Sequence, residues 1–184
     1  MMNRFSVILL FALQLIAFGS AHAEKADSDK PTNVEADKMA YDDVKQVNTF
    51  SGRVVLTRGS LSMKAGKVVV TKDPAGYQFA TLYAEPGSVA TFRQKRDGPS
   101  DLWIEGQAER IEYDGKTEMV KLFSNAKIKR LDGSKIIDEV EGAFISYDSR
   151  NEFFSVNNTA AGISKPGAGR ISATIQPRTD TKDK

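Results

Sequence analysis

The chain contains no cysteine and a single histidine, His22, among 184 residues. Without thiols there can be no disulfide framework, no thiol nucleophile, no iron–sulfur cluster and no cysteine-ligated zinc. His22 lies in a segment that the sequence marks for removal. What remains has no imidazole for a Ser-His-Asp unit, a histidine metal site or a proton shuttle. A nucleotide-binding glycine-rich loop is also missing. No metal and no cofactor is therefore expected, and carboxylate-only or lysine-based catalysis is the chemistry left open. An excess of one charge is lacking too: 26 basic residues stand against 24 acidic ones, intermixed along the chain. Nucleic acid binding has no electrostatic footprint in such a pattern.

Long apolar runs are scarce. The one present, Phe5 to Phe18, is broken only by Ser6 and Gln14, follows a basic Arg4 and precedes Ala21-His22-Ala23. A short apolar stretch between a positive end and a small-x-small site is a secretory signal, so residues 1–23 are expected to be cleaved and the mature chain to start at Glu24 in the periplasm. The run is too short for a convincing anchor, so the mature protein is not itself expected to span a membrane. About 160 residues then remain, a length for one domain. Residues 24–31 are polar and charged and are expected to form a flexible leader, 32–176 the folded domain, and 177–184 a disordered polar tail.

Helical periodicity is absent from Thr32 to Ile175; alternation at period two recurs instead, punctuated by turn residues. Phe50, Gly52, Val54 and Leu56 share one face. The apolar set becomes Leu61, Met63 and Ala65 after Arg58-Gly59-Ser60, and Val68 and Val70 after Gly66, each phase change marking a turn or bend. Tyr77, Phe79, Thr81 and Tyr83 read as the next face, with further short strands at Ala90 and Phe92, Leu102 to Glu105, Ile111 to Tyr113, Met119 to Phe123, Ala126 to Arg130, Ile136 to Val140, Ala143 to Tyr147, Phe153 to Val156 and Ile171 to Ile175. About a dozen such strands favour a roll, sandwich or solenoid over one flat sheet.

The chain also resembles itself. Ala36-Asp37-Lys38-Met39-Ala40-Tyr41-Asp42 aligns with Ala108-Glu109-Arg110-Ile111-Glu112-Tyr113-Asp114, and at the same offset Phe50, Val54 and Leu56 fall on Leu122, Ala126 and Ile128. Similar units start near residues 36, 65, 108 and 142, a pattern suited to stacked strand pairs that shield one another's apolar faces. From the residues alone, a groove, a protein-binding scaffold or adhesin, and a glycan hydrolase using two of Glu105, Glu109, Glu112 and Asp114 all remain open.

The stretches KPTNVEADKMAYDD, TFSGRVVLTRGSLSMKAGKVVVTKD, GSVATFRQKRDG and IEGQAERIEYDGKTEMVKLFSNAKI, in this order behind a signal peptide, resemble the LptA, or OstA-like, family over Pro31 to Val156. The resemblance implies an all-β fold, an OstA-like β-jellyroll of about 16 consecutive antiparallel strands, slightly twisted, V-shaped and open at both ends. It implies a lipopolysaccharide carrier between inner and outer membrane, not an enzyme. Its lipid-contacting interior falls on Thr32, Val34, Phe92 and Tyr113, joined by parity by Phe50, Val54, Leu56, Met63, Val68, Val70, Ile111, Leu122 and Ile128. Gly115 stands where family members can carry another apolar residue. The implied partners are lipopolysaccharide through its lipid A, further copies of the chain stacked head to tail through edge strands, an LptC-like inner-membrane protein and an LptD-like outer-membrane protein. The candidate edges are Thr32 to Asp37 and the strand near Phe153 to Val156 or Ile171 to Ile175. The basic residues Lys64, Lys67, Lys72, Arg93, Lys95 and Arg96 read as a solvated outer wall, the alternative being contact with lipid phosphates or an acidic partner at the mouth of the groove.

Overall fold

The computed structural model describes residues 27, 29–98 and 101–177; the expected signal peptide and residues 178–184 of the expected tail lie outside them. The strands are β1 (Asn33–Glu35), β2 (Lys38–Asp42), β3 (Val47–Arg58), β4 (Leu61–Lys72), β5 (Gln78–Tyr83), β6 (Ala90–Lys95), β7 (Leu102–Ala108), β8 (Arg110–Asp114), β9 (Met119–Asp132), β10 (Lys135–Asp148), β11 (Phe153–Asn157) and β12 (Ser172–Ile175). Their pairings are antiparallel and form one twelve-stranded sheet among the described residues. That is fewer than the sixteen or so the resemblance implies, because β3, β4, β9 and β10 each run on through a bend and serve both leaves.

The bend divides the sheet into two leaves. In the first leaf the order is β2, the start of β3, the end of β4, β5, β8, the start of β9, the end of β10, then β11. In the second it is β1, the end of β3, the start of β4, β6, β7, the end of β9, the start of β10, then β12. The hinge residues are visible in the backbone. On β3 the register slips between Ser51 and Val54, and Gly52 (φ 80°) with Arg53 (φ 46°) takes the left-handed conformation. On β9 the equivalent pair of the internal repeat, Ser124 (φ 62°) and Asn125 (φ 52°), does the same. Such backbone crowds the Cβ against a neighbouring carbonyl oxygen, so at Arg53, Ser124 and Asn125 it persists only where surrounding contacts hold it, as bulges do when they redirect a strand. Arg53 gains that support by pairing with Asp37, at the junction between β1 and β2.

Side chains alternate across each leaf, and the inward ones form the core between them. It includes Val54, Met63, Val68, Leu82, Phe92, Ile104, Ile111, Leu122, Ile128, Ile145 and Tyr147, each at most 2 % exposed. One expected face is corrected: on β5 it is Ala80 and Leu82 that point inward, not Tyr77, Phe79, Thr81 and Tyr83, and Tyr77 and Tyr83 are exposed. Cross-strand register decides it, because Leu82 pairs with Val68 and Ile111 while Phe79 pairs with Thr71 and Asp114. Asp27, in the segment expected as a flexible leader, is buried instead: its carboxylate accepts from the Ser60 backbone N (2.8 Å) and from Ser60 Oγ (2.5 Å).

Candidate functional site

Cross-strand neighbours line up in ranks that traverse the whole sheet. In the first leaf one rank runs Met39, Phe50, Val68, Leu82, Ile111, Leu122, Ile145, Val156, each paired with the next. In the second leaf it runs Val34, Leu56, Met63, Phe92, Gly106, Ile128, Val140, Ala173. Two facing ranks of apolar side chains, uninterrupted from one edge of the sheet to the other, make a continuous hydrocarbon-like strip. Gly106 is its only member without a side chain because the Phe92 ring covers it; a Cβ there would stand 2.0 Å from Phe92 Cε1.

The ranks place the sequence-derived lining residues. Val54, Leu56, Met63, Val68, Phe92, Ile111, Leu122 and Ile128 are fully within the core, while Val34, Phe50, Val70 and Tyr113 are partly exposed and pack against it. Thr32, Leu56, Met63, Val70 and Tyr113 meet around one cleft between the leaves, with Leu61, Ala80, Gln78 and Arg58 completing its wall. Phe92 lies deeper and does not reach that cleft. Polar contacts cross the cleft's mouth: Thr32 Oγ1 donates to Gln78 Oε1 (3.2 Å), and the Arg58 guanidinium donates to the Tyr113 hydroxyl. Burial pushes the Tyr113 hydroxyl's pKa up; the adjacent Arg58 charge pulls the other way without cancelling the rise. Tyr113 therefore stays neutral at physiological pH.

Arg58 and Arg130 were not singled out by the sequence reading. The signal that finds them was available. Arg58 has the parity of Val54 and Leu56, Arg130 that of Ala126 and Ile128, and the two are related by the same offset as the rest of the repeat.

The carboxylates considered for hydrolysis have structural partners. Glu105 pairs with Arg93, Glu109 accepts from Asn125, Glu112 sits near Arg110, and Asp114 accepts from the backbone N–H groups of Lys116 and Thr117. No cluster of acidic or histidine side chains fit to hold a metal ion is found among the described residues. Outward charges pair across strands, as Lys127 and Lys129 do with Glu139. Of the described helical residues, none belongs to a helix long and apolar enough to cross a membrane.

At the two ends of the sheet the ranks finish on strands with one neighbour. Among the described residues β1 and β2 pair only with β3, and β11 and β12 only with β10. Apolar side chains there are uncovered, among them Met39 (58 % exposed) and Ile175 (80 %).

Comparison with known proteins agrees with this geometry. A family model described as LptA/(LptD N-terminal domain) LPS transport protein matches residues 33–153. The lipopolysaccharide export system protein LptA of Haemophilus influenzae is 31 % identical over 170 residues, covering 92 % of this chain and 91 % of that one. Its counterpart in Escherichia coli (strain K12) is 33 % identical over 146 residues, 79 % of this chain and 75 % of that one. Among solved structures, the crystal structure of LptH from Pseudomonas aeruginosa, the LptA-homologous periplasmic component of the lipopolysaccharide transport device, superposes with a TM-score of 0.69. It is 27 % identical and covers 82 % of this chain and 99 % of that one. The folded-over antiparallel sheet, its transverse apolar ranks and these matches together place the chain in the LptA/LptD N-terminal family of lipopolysaccharide transport proteins.

Proposed function

We propose that this protein is a periplasmic lipopolysaccharide carrier that shields lipid A acyl chains between its two leaves and passes them along a bridge from inner to outer membrane. The observation that carries the reading is the pair of apolar ranks, which runs across the sheet without interruption and ends at strands with a single neighbour. Each methylene withdrawn from water is worth about 0.8 kcal/mol, so the acyl chains of one glycolipid amount to tens of kcal/mol if left exposed in water. A continuous apolar strip removes most of that penalty at every position along it, so cargo can slide with little change in free energy.

The core side chains fill the space between the leaves, and the cleft at the mouth offers the first apolar surface to an incoming chain. Lipid then enters by parting the leaves from that cleft inward, with Thr32, Val34, Val70 and Tyr113 met first and Phe92, Met63, Ile111 and Leu122 later. The single-neighbour strands supply the bridge: a β2 or β1 edge can accept the β11 or β12 edge of the next copy, and unlike edges joined head to tail propagate without closing. The same edges suit an LptC-like partner on one side and an LptD-like partner on the other. Transport of this kind needs no covalent step from the chain itself.

The test is binding of lipopolysaccharide to the purified mature chain, followed by displacement of an apolar fluorophore. Saturable displacement by lipopolysaccharide and by lipid A, but not by the delipidated saccharide, is expected. Equal displacement by the saccharide alone overturns the carrier reading. A scaffold that binds only protein would show no displacement at all.

A further inference from the structure

A strip suited to hydrocarbon is apolar at its inward positions, yet at the outer end of the second leaf two arginines turn inward. Arg58 follows the buried Val54 and Leu56 on β3, and Arg130 follows Ala126 and Ile128 on β9. They occupy equivalent places in the internal repeat, and each reaches across to an aromatic ring of the first leaf. Arg58 Cζ is 5.2 Å from the Tyr113 centroid and Arg130 Cζ is 5.6 Å from that of Phe154.

The two differ in how their charge is met. Arg130 has Asp138 as its cross-strand neighbour on β10, with Arg130 Nε 2.9 Å from both carboxylate oxygens. The cross-strand neighbour of Arg58 is Leu61. Arg58 donates to the neutral Tyr113 hydroxyl, and among the described residues no carboxylate forms a salt bridge with it. Its Nε is buried with no hydrogen-bond partner. An uncompensated guanidinium with an orphaned buried donor is costly to the fold, and it gains most from an anion that presents two oxygens to its planar fork. This one lines the apolar cleft beside Leu56, Leu61, Met63 and Tyr113.

We propose that Arg58 is the anion-binding residue of the trough, taking phosphate oxygens of an acylated glycolipid headgroup while the acyl chains enter the cleft beneath it. The inference rests on the carrier reading and gives it a headgroup contact. Arg130, already neutralised by Asp138, is not equipped for the same task. On binding, the bond from Arg58 to the Tyr113 hydroxyl is exchanged for bonds to phosphate. That exchange unfastens one of the two polar contacts across the mouth, so headgroup capture and opening of the cleft are one event.

The experiment compares binding of lipopolysaccharide and of its enzymatically dephosphorylated form, with unchanged acyl chains, to the wild-type chain and to Arg58→Gln, Arg58→Lys and the outward control Arg93→Gln. The wild type is expected to bind the phosphorylated form about tenfold more tightly. Arg58→Gln is expected to abolish that preference, so that both forms bind it alike, Arg58→Lys to keep part of it and Arg93→Gln to keep all of it. Equal weakening of both forms, or none, overturns the assignment while leaving the carrier reading standing. Binding of neither form by the wild type overturns both. If Arg58→Gln does not fold, the wild-type comparison still decides, since absence of a phosphate preference refutes the proposal. Inorganic phosphate at millimolar concentration is the remaining arm. Failure to compete supports a lipid headgroup, and Arg58-dependent competition identifies a free-phosphate site and overturns the headgroup assignment.

Discussion

Gly106 and Phe92 show how narrowly single positions set the interior. The Phe92 ring occupies the volume that a side chain at Gly106 would need, and Phe92 itself is 2 % exposed. Gly106→Ala should therefore push the ring off its rotamer and destabilise the fold by about 1–3 kcal/mol, read from the denaturant midpoint. Phe92→Leu in the same background should recover part of that loss, because the smaller side chain frees the space. Charge acts at this scale too. A hydrogen bond from Arg53 holds the Asp37 carboxyl below its usual pKa, and hydrogen bonds from Asn151 do the same for Asp148. For such depressed groups the stabilisation is fully present above the unfolded carboxylate pKa near 3.9 and is lost as pH falls through the lower folded value. Stability followed by urea denaturation should be flat above about pH 5 and fall below about pH 4. Asp148→Asn should shallow the decline; an acid-independent midpoint contradicts these pairings.

At the scale of elements, the strands and most of their inward faces were legible in the alternation, since a period of two is imposed by the pleat wherever one side is buried. The phase change of β4 at Gly66 could be read from Met63 and Ala65 giving way to Val68 and Val70. What alternation could not give was continuity. Ser124-Asn125 looks like a turn between two strands in the sequence, yet β9 runs through it because pairing resumes on the far side, and the slip at Gly52-Arg53 is hidden inside an alternation that reads straight through it. On β5 the aromatic residues misled, because hydrophobic character alone does not say which face a neighbour's register buries; Leu82 could be placed only by its pairing with Val68 and Ile111. The inward arginines were hidden for a similar reason, Arg58 being read with Gly59 and Ser60 as a turn and Arg130 as the polar end of a strand. Edge strands yield their own prediction. Met39 ends the first-leaf rank exposed, so Met39→Lys should weaken concentration-dependent elongation in light scattering by roughly tenfold while leaving the unfolding midpoint within about 0.5 kcal/mol of wild type. Unchanged elongation would exclude the β2 edge from assembly.

For the molecule as a whole, one strip of side chains is proposed to serve two purposes. On the proposed reading, the residues that hold the leaves together in the absence of cargo are the same ones offered to acyl chains, so the stability of the closed sheet and the affinity for lipid oppose each other. A lining that packs well against itself is displaced by hydrocarbon at little net cost, because one apolar contact replaces another. Outer-wall positions have no part in that exchange, Arg53 being exposed and Val55 lying on the face opposite Val54 and Leu56. The most direct measurement is site-specific photo-crosslinking with lipopolysaccharide, placing the reactive residue in turn at Tyr113, Phe92, Val55 and Arg53. Adducts at Tyr113 and Phe92, with none at Val55 or Arg53, are predicted. Equal labelling of both faces, or labelling confined to the outer wall, would contradict a trough between the leaves.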